Sequence, residues 1–355
     1  MAVYIKEASA ISPQNTFGSK VLPAEVTAYT GVNMLRCIEP VYRDFIDPMV
    51  SRRMSRIVKM GVCCAMKCLR DSGIDVPDAI IAGTGLGCLE DTEKFLGSIY
   101  ANEEKLLNPT PFIQSTHNTV AGAIALAIKC HNYNATYTHR GFSFESALED
   151  ALLHLAENPG LKILTGGFDE VTPGSYEITR RMGLWKNHPV SNMDLGRYHT
   201  RGSMPGEGVA FFMLSGEKST GDWAAIRSLN TFCKPSGKAD VAERISNFIA
   251  ECELKTGKPD LVIYGKNGDT SGDGYYDYLI NGPMKDIPHV SYKNLCGEYD
   301  TSASFALWLA ALMIREQRIP SYLEAGKNLP VELNHVLIYN HLRGVNHSLY
   351  LLERC

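Results

Sequence analysis

Apolar positions recur along this chain with two periods, one helical and one strand-like. Phe144, Ala147, Leu148, Ala151, Leu152 and Leu155 follow three- and four-residue spacing, which predicts a helix with one buried face. The residues before it, Ala135 to His139, include β-branched and aromatic types that favour a strand. Ser143 is expected as the N-cap of the helix, with Glu145 in its first turn, where the helix dipole favours an anion. A strand that turns sharply into a buried helix displays its turn residue beside backbone N–H donors, the geometry of a nucleophile elbow. The residue at this turn is Gly141. The pattern therefore predicts an elbow that is built but carries no nucleophile.

The same alternation runs through the rest of the chain. Val3 to Ile11 reads as a strand, and residues 12–47 as a loop or edge region. A helix is expected from Ser51 to about Asp71, with apolar spacing at Met54, Ile57, Met60, Cys64 and Cys68. Asp78 to Gly87 reads as a buried strand entering a glycine-rich turn, Thr116 to Lys129 as an apolar helix, and Lys162 to Gly167 and Gly206 to Leu214 as further strands. Past Ser215 the pattern restarts. A strand is expected over Ala224 to Leu229, a helix over Asp240 to Leu254, and a strand over Pro259 to Gly265 that echoes Pro77 to Gly83. Thr301 to Arg315 is an apolar helix placed like Thr116 to Lys129, and Val336 to Asn340 and Ser348 to Leu352 close as strands. Alternating strands and helices imply an α/β fold with parallel strands and crossover helices. The repeated order predicts two similar βα halves, residues 1–215 and a trimmed 216–355, stacked on each other.

Composition narrows the function more by exclusion. The chain has 355 residues, 45% apolar and 21% charged, with a net charge of −4. That balance gives no electrostatic case for nucleic acid or an anionic membrane. No apolar run is long enough to span a bilayer, and the N-terminus lacks a signal-peptide pattern, so a cytoplasmic protein is expected. The ten cysteines are scattered. Cys63, Cys64 and Cys68 share one helix without a matching second pair, which suits buried packing better than zinc, and no metal, cofactor or disulfide is expected. The arginines of Ser51 to Arg56 read as a solvated face or ion pairs. Gly83-Thr84-Gly85-Leu86-Gly87 matches part of a dinucleotide fingerprint, but the pattern is incomplete and Glu90, Asp91 and Glu93 would repel a pyrophosphate.

The order of these phrases resembles a β-ketoacyl synthase, of the thiolase-like fold, over nearly the whole chain. The N-terminal strand, the Arg/Met-rich helix, Gly83 to Gly87 and Asn108-Pro109-Thr110-Pro111-Phe112 carry the likeness. So do Leu164-Thr165-Gly166-Gly167, Gly206-Glu207-Gly208-Val209-Ala210 and the closing loop His341-Leu342-Arg343-Gly344-Val345-Asn346. The resemblance implies a five-layer αβαβα sandwich. It also implies an elbow cysteine that takes the acyl chain as a thioester, and two histidines that promote decarboxylation and stabilise the enolate. In this chain the cysteine position falls on Gly141. The first histidine falls on Asn267 in Gly265-Lys266-Asn267-Gly268-Asp269-Thr270, and the second on Glu298 in Lys293-Asn294-Leu295-Cys296-Gly297-Glu298.

Each replacement fails for its own reason. Glycine has nothing to acylate, asparagine cannot become a cation near neutral pH, and an ionised glutamate has the wrong sign beside an enolate. No catalytic residue is therefore expected. His139, Ser143, Lys293, Cys296 and His341 are the neighbouring candidates, with His347 beside the closing loop and Cys296 the sharpest alternative nucleophile. The resemblance then points to a silent, chain-length-factor-like subunit of a fatty-acid, polyketide or aryl-polyene type II system. Its partners would be an active ketosynthase, or a second copy of itself, and an acyl carrier protein. The elbow strand would form the dimer edge, with Thr116, His117, Asn118 and Thr119 at the dimer and tunnel junction. Two other readings stand beside it. One is an acyl-transfer or hydrolytic enzyme with altered chemistry, in which burial of Glu298 makes it a general base. The other is a structural homodimer or carrier-docking module.

Overall fold

The computed structural model describes residues 2–326 and 328–355, so Met1 lies outside it. The first part of the chain runs β1 (Val3–Ile11), α1 (Pro48–Ser51), α2 (Arg56–Ser72), β2 (Ala79–Gly83), α3 (Leu89–Ala101), α4 (Pro109–Gln114), α5 (Thr119–Ile128), β3 (Tyr133–Tyr137), α6 (Ser143–Glu157), β4 (Ile163–Asp169), α7 (Pro173–Arg181) and β5 (Gly208–Ser215). The second runs β6 (Ala224–Cys233), α8 (Lys238–Glu251), β7 (Leu261–Tyr264), α9 (Gly274–Ile280), β8 (His289–Ser291), α10 (Lys293–Cys296), α11 (Ala303–Glu316), β9 (Glu324–Ala325), β10 (His335–Leu342) and β11 (Asn346–Glu353).

One hydrogen-bonded ladder joins eleven strands in the order β3-β2-β4-β5-β1-β6-β11-β10-β7-β8-β9. The order is a repeat read outward from its middle. β3, β2 and β4 are parallel, and β5 and β1 follow antiparallel. Likewise β8, β7 and β10 are parallel, and β11 and β6 follow antiparallel. The short antiparallel contact of Val3 to Ile5 with Ala224 to Ile226 joins the two series.

Alternation along the strands divides the core into layers, because successive side chains leave opposite faces of a sheet. On β5, Val209, Phe211 and Met213 pack with α2 and α5, while Ala210, Phe212 and Leu214 face inward. On β11, Leu349 and Leu351 pack with α8 and α9, while Tyr350 and Leu352 face inward. Between the inner faces lie α6 and α11. Phe144 of α6 meets both Phe212 of β5 and Tyr350 of β11, and α11 is buried continuously from Ala303 to Ile314. The result is helix, sheet, helix, sheet, helix: the five-layer αβαβα sandwich expected from the sequence.

The topology corrects one expected equivalence. Helix α11 follows β8 and precedes β10, as α6 follows β3 and precedes β4. Its counterpart is therefore the elbow helix and not α5, the helix expected over Thr116 to Lys129. Apolar content misled the comparison. Helix α5 is a surface helix with Leu126 82% exposed, whereas α11 is enclosed on all sides.

Candidate functional site

The candidate groups lie beyond the C-terminal ends of parallel strands, where α/β sheets collect ligand sites. Strands β3, β7 and β8 end at Tyr137, Tyr264 and Ser291, and the loops that follow carry Gly141, Asn267 and Glu298.

The elbow is present, with its cap differently built. A 3-10 turn over Arg140–Phe142 runs directly into α6. Ser143 therefore enters with helical backbone (φ −62°, ψ −46°), whereas an N-cap needs non-helical backbone. Ser143 is the first helical residue instead of the cap. Its Oγ accepts the His139 N–H at 2.8 Å and donates to the Arg140 carbonyl at 2.8 Å, tying the turn to itself. His139 is exposed and meets the Phe142 ring edge-on at 5.5 Å.

Gly141 is buried because another residue fills its side-chain space. A Cβ at this position would stand 2.7 Å from Leu342 Cβ, 2.9 Å from Leu342 Cδ2 and 3.3 Å from Asn346 Cβ. Leu342 ends β10, and the Val345 N–H donates back to its carbonyl at 3.0 Å across Arg343 (φ 54°) and Gly344 (φ 65°). Two successive positive φ values define a tight hairpin turn of fixed geometry. The leucine is thus held in the elbow by the hairpin itself.

The other two positions meet each other. Asn267 Nδ2 donates to Glu298 Oε2 at 2.6 Å, and Lys293 Nζ donates to Glu298 Oε1 at 2.6 Å and to Ser302 Oγ at 2.5 Å. The Lys293 side chain is fully buried and that of Glu298 is 9% exposed. Both carboxylate oxygens are therefore engaged by donors. The Glu298 backbone is pinned as well, with its N–H donating to Met204 and its carbonyl accepting from Gly206. The Asp269 N–H donates to Asn267 Oδ1 at 3.0 Å, which fixes the amide.

The neighbouring candidates Cys296 and His341 are enclosed by packing. Cys296 is buried at the end of α10, and burial pushes its thiol well up, the opposite of an activated nucleophile. His341 is enclosed, with Nε2 facing the Gly272 carbonyl at 3.1 Å, Nδ1 accepting the Gly344 N–H at 3.2 Å and the Tyr276 ring stacked at 4.5 Å. Burial pushes it down to about 3 and the adjacent His347 down to about 4. Both are neutral at pH 7. Thr116, His117 and Asn118 are exposed just before α5, with Thr119 half-buried, and the Thr116 and Thr119 hydroxyls lie 2.9 Å apart.

A cavity of about 80 Å³ opens beside the elbow. Arg140, Arg343, Glu298, Asp300 and Asp169 line it, together with Trp185, Tyr176 and Leu86. Asp169 binds the two series of strands together. Its Oδ1 accepts from Thr84 Oγ1, Gly85 N–H and Leu86 N–H, and its Oδ2 accepts from the N–H and Oγ1 of Thr301. Burial raises Asp169, and those donors oppose the shift. Asp300 is raised by burial, against the pull of Arg343 and Arg140.

The residue pattern alone assigns no role to Asp169, Asp300, Arg140, Leu342 or Arg343. A legible signal existed for three of them. Asp169 is a charge ending a buried strand, and Arg140 and Arg343 are bulky residues next to turn glycines. The packing of Leu342 onto Gly141 joins positions some 200 residues apart and had no local signal.

Residues 33–191 match a family model described as the β-ketoacyl synthase N-terminal domain. A comparison with curated protein sequences finds no match. Among solved structures, the chain superposes on one described as the ishigamide ketosynthase/chain length factor, with TM-score 0.79 and 15% identity. It also superposes on a β-ketoacyl synthase from Burkholderia phymatum STM815, with TM-score 0.76 and 14% identity. A third is described as a type II PKS acyl-carrier protein in complex with its ketosynthase bound to the hexaketide, with TM-score 0.74 and 14% identity. Each superposition covers 100% of this chain and 99% of the other. At these identities the likeness is one of fold.

Proposed function

We propose that this chain, whose residues 33–191 match the model of a β-ketoacyl synthase N-terminal domain, is a catalytically silent subunit pairing with an active ketosynthase. The observation that carries this reading is the closed elbow. Gly141 offers no nucleophile, and Leu342 occupies the space one would need. Losing a covalent nucleophile costs on the order of 10⁶ in rate where the equivalent device has been removed from a hydrolase. The second histidine position is also spent, since Lys293 and Asn267 hold both oxygens of Glu298. A glutamate so engaged is a poor general base, which weighs against the altered-enzyme reading.

Pairing is supported by an unfinished edge. Among the described residues strand β3 bonds only to β2, leaving one side of the ladder open. An open edge is a template for another strand. Around it, Tyr133 is 46% exposed, Leu153 of α6 62% and Leu126 of α5 82%. An active ketosynthase chain with a matching edge would complete the sheet, and the exposed residues before α5 would border the acyl tunnel of that pair. An acyl carrier protein would deliver substrate to the active partner. The system would be of type II organisation, making fatty acids, polyketides or aryl polyenes.

Co-expression with an intact ketosynthase of the same system tests this. A stable one-to-one complex that condenses acyl units, with label only on the partner, is expected. A monodisperse homodimer that ignores the ketosynthase would favour the structural-module reading. Covalent acylation of this chain would overturn silence.

A further inference from the structure

The charged groups around the elbow cavity are unequally satisfied. Asp169 accepts five hydrogen bonds, and Glu298 is neutralised by Lys293. Glu170, also on the wall, accepts the Glu90 N–H. Arg140 and Arg343 are exposed at the mouth, and neither guanidinium makes a hydrogen bond or a contact ion pair among the described residues. Both act on Asp300. The Asp300 Oδ2 atom is buried without a hydrogen-bond partner, and its carboxyl fills the space where Gly85 lacks a side chain.

Both arginines also sit in left-handed backbone, at φ 52° and 54°. They belong to different elements, the elbow turn and the closing hairpin. A bulky residue is strained there, and such strain concentrates at ligand sites. The hairpin turn accounts for the backbone of Arg343 and the elbow turn for that of Arg140; what the two turns share is one cavity, which both arginines line.

These observations set the chemistry of an occupant. Two guanidiniums against one unsatisfied carboxylate leave room for one further anionic group, which arginine's planar fork receives best from a carboxylate or phosphate. Asp300 Oδ2 calls for a hydrogen-bond donor on the same molecule. An unadorned alkyl chain would strip water from these groups and return nothing. The cavity volume of about 80 Å³ equals about six water molecules at roughly 10–15 Å³ each, so the part of the occupant inside it is small, and a compact carboxylate fits.

We infer that this cavity binds a small carboxylate bearing a hydroxyl or amino group, with Arg140 and Arg343 on its carboxylate and Asp300 accepting from its donor. The site needs no partner chain, so its failure would leave the pairing proposal standing, and the reverse holds too.

Thermal unfolding of the full chain with glycolate, L-serine, acetate and propylammonium, at ionic strength matched with chloride, tests the site. A ligand that binds only the folded state raises Tm with its concentration. Glycolate and L-serine should raise it, acetate less, and propylammonium not at all. Arg140→Gly and Arg343→Gly should each weaken the response by about tenfold or more, as loss of a charge-assisted hydrogen bond requires. Neither should lower the ligand-free Tm, because glycine accepts positive φ freely. A purely structural arginine would instead lower the ligand-free Tm. Arg140→Gln and Arg343→Gln, which keep most of the side-chain volume, should show the same loss of response. Asp300→Asn should narrow the gap between glycolate and acetate. No rise with any carboxylate, or a rise that survives loss of both arginines, would overturn the inference.

Discussion

The two central helices of this fold begin in corresponding places, and their entry loops could hardly differ more. The β3–α6 turn of the first series holds Gly141, pressed against Leu342. The β8–α11 loop of the second holds Lys293, Glu298 and Ser302 in one buried hydrogen-bonded cluster with Asn267. One loop is closed by an apolar side chain, the other by pairing of opposite charges. The difference teaches that corresponding loops of one fold can be filled by sterics on one side and by electrostatics on the other. The two closures should respond to different perturbations.

The largest effect belongs to the charged loop. Glu298→Ala leaves the buried Lys293 ammonium without its counter-ion and should cost roughly 3–5 kcal/mol in urea unfolding. Adding Lys293→Met should recover much of that loss, because an uncharged pair need not be desolvated. If the double variant is no more stable than the single one, charge pairing is not what holds this loop.

Glu145, in the first turn of α6, gives the next. Its carboxyl is fully enclosed, and burial pushes it up to about 7 against the opposing pull of the Tyr350 and Ser348 hydroxyls. A raised folded pKa means that the folded state binds the extra proton, so this contribution is lost as pH rises from about 4.5 to about 7. Glu145→Gln should therefore gain on the parent chain across that window, by at most roughly 3 kcal/mol. The histidines act with the opposite sign. His341 and His347 are depressed to about 3 and about 4, so their contribution is full above about 6.5 and is lost as pH falls. An unchanged stability difference between the Gln variant and its parent from pH 5 to pH 8 would contradict the assignment for Glu145.

The apolar closure should give a smaller change. Gly141→Ala drives a methyl group into Leu342 and should cost about 1–3 kcal/mol by overpacking. Leu342→Ala on the same background should return part of it, a coupling that a thermodynamic cycle would measure. Purely additive costs would mean that the two residues do not press on each other.

Much of this architecture was legible from residue order. The spacing of Phe144, Ala147, Leu148, Ala151 and Leu155 foretold the buried face of α6, and Pro77 to Gly83 against Pro259 to Gly265 foretold the equivalence of β2 and β7. The longer strands were legible because continuous apolar runs such as Ala79 to Gly83 and Gly208 to Ser215 are written locally, whereas β8 and β9, with three and two residues, were not. The exact cap of α6 was not, because the 3-10 turn before it depends on Arg140 entering left-handed backbone, which a side-chain pattern does not announce. Short helices such as α4 and α9 also escaped, since six or seven residues carry too little periodicity. At the site, the family resemblance named the positions of Asn267 and Glu298, while the hydrogen bond between them is visible only in the fold. The seating of Leu342 on Gly141 and the convergence of Arg140 with Arg343 are tertiary facts that no window of sequence contains.

The claim on which the rest stands is that the elbow is intact but filled. Three proteins test it together, each with the exposed Cys233 and Cys355 replaced by serine: the parent chain, Gly141→Cys, and Gly141→Cys with Leu342→Ala, each exposed to an acyl thioester and weighed intact. The account predicts no acyl adduct on the parent, little on the single variant, and a stoichiometric adduct at residue 141 once the leucine is removed. An adduct on the parent chain, or full acylation of the single variant, would contradict it.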